Sequence, residues 1–70
     1  MKSHPHPIRL ERERLGLTQV DLSLRSQLSL STIRLAERGV ATDRTLEAIA
    51  GVLGVSARKI AGPREAGHVR

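Results

Sequence analysis

The chain has 70 residues, enough for one domain near the lower limit of a self-sufficient core and too few for a large enzyme. It has no cysteine, which excludes disulfide staples and thiolate sites and agrees with an intracellular protein, and no apolar run of bilayer length or signal-peptide core. Twelve lysines and arginines face seven acids, a net charge of +5 that favours a polyanionic partner, and the lack of any aromatic removes the stacking platforms used by single-strand and most RNA binders.

Residues 1–6 contain two X-Pro steps in HPHP, which disfavour helix, so they read as an N-terminal arm. Pro7 suits a first helical turn, and from it Ile8, Glu11, Arg12 and Leu15 fall on one face before Gly16 offers a left-handed stop. Thr18 is an N-cap for a second helix starting at Gln19, with Asp21 in the first turn to suit the helix dipole. The stretch LSLRSQLSLS, Leu22 to Ser31, alternates like a half-buried strand, yet no other segment offers a strand to pair with it. It reads instead as two helices joined at Ser26-Gln27-Leu28, with Ser29 capping a third helix that begins at Leu30. Leu22 and Leu28 then point inward, while Leu24 and Leu30 are free to stay outside.

Further on, Leu46, Ile49, Ala50 and Leu53 recur at i, i+3, i+4 and i+7, between Thr42 as cap and Gly54 as terminator. A short last helix follows Ser56, runs to about Ala61 and ends at Gly62-Pro63, leaving 63–70 as a mobile tail. The expected fold is therefore all-α, a compact bundle of five short helices over residues 7–62.

Several of these elements, in one register, resemble a known family. LGLTQVDLSLRSQLSLSTIRLAERG, Leu15 to Gly39, is similar to the helix-turn-helix of phage Cro and repressor proteins and their bacterial XRE-family relatives; TLEAIAGVLGVSARKI is similar to that family's fourth and fifth helices. The resemblance implies a lambda-repressor-like DNA-binding domain whose third helix enters the major groove of double-stranded DNA. On helix three, Ile33, Ala36 and Glu37 face the body. Leu30, Ser31, Arg34 and Leu35 face outward and are the candidate base contacts, with Arg34 able to donate two bonds to a guanine. Candidate phosphate contacts are Gln19, Thr32, Arg38 and Arg44, Gln19 by its similarity to the family's glutamine at the start of helix two. The family also pairs the positions of Arg12 and Glu37 in an enclosed salt bridge; the alternative is a local pair of Glu37 with Arg34 or Arg38.

Departures from the family pattern matter as well. Gln27 stands where many relatives place glycine, so a left-handed turn there carries a cost of about 1–2 kcal/mol or the turn is altered. Glu11 lies on a face often small or apolar and is placed to help hold Arg12. Leu30 and Leu35 are apolar on the reading face, where they pack against thymine methyls or, together with Val20 and Leu24, offer a surface to another protein.

No catalytic set, cofactor motif or metal site is expected, since His4 and His6 lack further ligands nearby. The leading functional reading is a sequence-specific DNA-binding transcriptional regulator, a repressor, acting as a homodimer in the cytoplasm at the nucleoid. Its dimer contact would come from Lys59 to Arg70, with helix four as a possible contributor. The alternatives are a protein-interaction module, antitoxin-like or anti-regulator, and a nonspecific DNA-coating protein.

Overall fold

The computed structural model describes residues 5–62; the first four residues and the tail from 63 onward lie outside the described part. Within it the chain forms five helices: α1 Pro7–Arg14, α2 Gln19–Ser26, α3 Leu30–Glu37, α4 Asp43–Leu53 and α5 Ala57–Ile60. No strand occurs among the described residues.

Hydroxyl caps open four of the five helices. Thr18, Ser29, Thr42 and Ser56 each accept the N–H three residues on, which satisfies donors that the first helical turn leaves bare. At α2 the cap is reciprocal: Asp21 takes the Thr18 N–H at 2.9 Å, and that bond holds the Asp21 carboxyl below its ordinary pKa.

The fifth cap is His6, which the X-Pro steps assign to the arm. Its Nδ1 accepts the Ile8 N–H at 3.1 Å, and its ring lies against Gly62, where an added Cβ would come within 2.8 Å of Nε2. Burial, partly offset by Glu37, lowers the His6 pKa from its ordinary 6.5. A protonated Nδ1 cannot accept, so the folded state favours the neutral ring. The unfolded chain therefore takes up the proton first as pH falls, and stability is constant above about pH 6.5 and declines below it. A denaturation midpoint lower near pH 5.5 than near pH 7.5 is expected, with less of that drop in His6→Asn, which caps without titrating there. Equal drops in both proteins would rule the histidine out as the cause.

Burial follows the helical spacing. Ile8, Leu22, Ile33, Ala36, Leu46, Ile49, Ala50, Leu53 and Ile60 form one core to which every helix contributes. α4 packs against each of the other four helices, which explains why it carries four of these nine residues. Leu17 and Leu28 pack at the core's edge. Two expectations need correction. Leu15 is 43% exposed rather than inward, because α1 ends at Arg14 and the chain is already turning toward Gly16. Glu11 does not hold Arg12; its carboxylate meets Arg14 at 2.8 Å and Lys59 at 3.4 Å, joining α1 to α5.

The α2–α3 turn keeps its shape without glycine. Gln27 is the one residue other than glycine with positive φ among the described residues, at φ 63° and ψ 31°. Serines make the turn workable: Ser26 Oγ donates to the Leu22 carbonyl at 2.7 Å, and Ser23 Oγ to the Leu28 carbonyl. Gln27→Gly should relieve the left-handed strain and lose part of the gain to a more flexible unfolded chain. The expected net is about 0.5–1 kcal/mol of stabilisation, read as a higher urea midpoint. A lower midpoint would mean that the Gln27 side chain holds the turn in a way its geometry does not reveal.

Candidate nucleic-acid interface

α3 presents two unlike sides. Its inner side carries Ile33 and Ala36, both essentially inaccessible, and the Glu37 carboxylate, 7% exposed. Arg12 of α1 meets that carboxylate with two parallel bonds, Nε to Oε2 at 2.5 Å and Nη2 to Oε1 at 3.1 Å. The remaining Nη1 donates to the Leu17 carbonyl at 2.9 Å, so one guanidinium ties α1 to α3 and to the loop leading into α2. The Glu37 bond raises the Arg12 pKa further above its ordinary value, against the opposing effect of burial. Glu37 also accepts from Gln19 Nε2 at 3.1 Å, which brings the start of α2 into the same network. Glu37 pairs with neither Arg34 nor Arg38 among the described residues.

The outer side is open. Ser31, Arg34, Leu35 and Arg38 are exposed and Leu30 is half-buried. Neither the Arg34 nor the Arg38 guanidinium has a hydrogen-bond or ion-pair partner among the described residues. Two depressions flank this ridge. On one flank Leu30 and Arg34 line a hollow with Thr18, Gln19 and Val20 of the α2 start. On the other, Thr32 and Leu35 line a more apolar hollow with Val40, Ala41, Thr42 and Thr45, at the start of α4. Ser31 lines neither and stands out from the helix.

The candidate residues thus separate into groups. Leu30, Ser31, Arg34 and Leu35 share the exposed arc, with Arg38 at the helix's C-terminal cap. Gln19 opens α2 beside Arg34; its amide gives one N–H to Glu37 and keeps a second donor. Arg44 is exposed on the first turn of α4 and lines neither hollow. The Thr32 hydroxyl shares a 2.8 Å hydrogen bond with the capping hydroxyl of Ser29, and either one can be the donor. No group of side chains able to hold a metal occurs among the described residues, and no described helix is long and apolar enough to cross a membrane. The Gln19 to Glu37 bond escapes a reading of the sequence, since nothing local signals a partner 18 positions away.

A braced second helix, a tight turn and a third helix with a bare outer ridge define a helix-turn-helix domain. A family model described as "Helix-turn-helix" matches residues 8–60, from the core isoleucine of α1 to the end of α5, and the chain belongs to that family, in its XRE branch of DNA-binding regulators. The chain matches no curated protein and no solved structure.

Proposed function

We propose that the protein binds duplex DNA sequence-specifically as a transcriptional repressor, with α3 in the major groove. One observation carries this reading: α3 is locked from within by Arg12 and Glu37 while its outer ridge holds two guanidiniums with no partner among the described residues. Leu30, Ser31, Arg34 and Leu35 meet base edges, Arg34 by two donors to guanine and the leucines by thymine methyls. Gln19, Arg38 and Arg44 meet phosphates, Gln19 through its second amide N–H and the first-turn N–H groups of α2. One short recognition helix gives limited affinity, so two copies act together, on half-sites about one helical turn apart. The work is done by binding alone, in the cytoplasm, with no catalytic step.

Arg34→Ala is expected to cost about 1–3 kcal/mol at one base position and so relax preference there, because a guanidinium on guanine discriminates by about that much. Gln19→Ala should weaken all duplexes alike. Affinity for wild type should fall linearly in log K against log salt as phosphate contacts release counterions. If Arg34→Ala retained full preference at every position, α3 would not be reading bases in this register.

A second reading draws on the 72% exposed Leu24 and the 51% exposed Val20, which lie one turn apart on α2. In that reading these helices bind another protein, and the association would be insensitive to salt.

A further inference from the structure

A third depression, of about 490 Å³ and open to solvent, lies where α1 begins, beside the C-terminal half of α3. His6, Arg9, Gln19, Arg34, Glu37 and Arg38 line it. Its charges do not balance. The one carboxylate, Glu37, has both oxygens engaged by Arg12 and Gln19. Among the described residues Arg34 and Arg38 have no partner and Arg9 pairs with Glu13 alone, at 2.9 Å, each side chain half exposed. An exposed pair of that kind is worth little and readily gives up its cation to a competing anion. The depression is therefore an unneutralised seat of guanidiniums from two helices, with an amide donor on its wall.

We infer that this depression seats one phosphodiester of the duplex beside the groove that α3 enters, and that Arg9 of α1 is a phosphate-contacting residue. The inference rests on the DNA-binding reading above and adds α1 to its contact surface. The guanidinium is the right group, since its planar donors match two phosphate oxygens at once. Arg34 serves the base edge from the seat's wall, and Arg38 and Arg9 close over the phosphate from either side. The backbone is thereby fixed relative to the recognition helix, which sets its depth and register without reading sequence.

The test measures affinity of the full chain for a selected duplex and for random duplex across a salt series. Arg9→Ala should weaken both about five- to tenfold near 0.1 M salt, lower the log–log salt slope by about 0.9, and leave the preference ratio unchanged. Glu13→Gln separates charge from structure: it frees Arg9 and meets the Arg12 brace only through a 4.0 Å approach to Nη2, so binding should hold or strengthen. If the pair mattered only for α1 itself, both variants would weaken binding alike, and the seat would be refuted. Arg58→Ala, on α5 and outside the depression, removes the same charge and should leave the slope near wild type. An Arg9→Ala slope and affinity equal to wild type would overturn the seat while leaving DNA binding intact. Failure of the wild-type chain to bind any duplex would instead overturn the underlying reading, and the seat with it.

Discussion

Arg12→Ala is expected to cost about 3–5 kcal/mol and to leave most of the chain unfolded near physiological temperature. Both side chains are nearly enclosed, that of Arg12 10% accessible and that of Glu37 only 7%. Removing the arginine leaves a carboxylate desolvated with only the neutral Gln19 amide to answer it, and strips the Leu17 carbonyl of its donor. Breaking such a pair from one side costs far more than the pair contributes, because the stranded charge must be protonated or rehydrated. A domain of this size has little stability in reserve, at the low end of the usual 5–15 kcal/mol, roughly. Arg12→Lys keeps the charge and loses the paired geometry, so it should fall between wild type and alanine. The discriminating protein is the double variant Arg12→Met with Glu37→Leu, which removes both charges and should be more stable than Arg12→Ala. Urea unfolding by far-UV circular dichroism suits a chain without aromatics. A midpoint for Arg12→Ala close to that of wild type would show that the pair does not hold α3 to the body.

The second large effect is in the core. Ile49 is wholly inaccessible and sits on α4, the helix that touches all the others. Truncating it to alanine should cost about 2–5 kcal/mol, from lost burial and the cavity left behind. Collapse around the gap is limited, since the core is built of short aliphatic side chains anchored on five separate helices. The expected product keeps part of its helix signal but loses cooperative melting. Ile49→Val, which removes one methylene, should cost about 0.5–1.5 kcal/mol and melt cooperatively. Similar melting curves for the two variants would mean that α4 is not the element that unites the bundle.

What the sequence reveals depends on how local the cause is. The hydroxyl caps at Thr18, Ser29, Thr42 and Ser56 are legible because each acts three residues away, and α4 is legible because its apolar spacing runs from i to i+7, about two turns. The alternating leucines and serines give way to two helices once no partner strand exists. The same spacing separates the inner and outer sides of α3. His6 escapes as a cap because the X-Pro steps around it argue against helix, and its packing against Gly62, at the far end of the described chain, has no local signal. For Glu11, Arg14 three residues on is a local partner within reach of helical spacing, whereas Lys59, on α5, has no local signal. Gln27 is visible as a strained position, yet the serine bonds that help hold the turn are a matter of three-dimensional closure. At the interface, the outer arc is readable from helical period alone. The engagement of Gln19 by Glu37, and the gathering of Arg9 beside Arg38, come only from packing α1 and α2 against α3.

Selection of bound duplexes from a random pool by the full chain tests directly whether α3 is a rigid ridge that distinguishes base pairs. The expected result is enrichment of a short motif repeated in inverted orientation, about one helical turn apart, with one position losing its preference in Arg34→Ala. A pool that stays random under repeated selection, at a salt concentration where the protein still binds duplex, would contradict it.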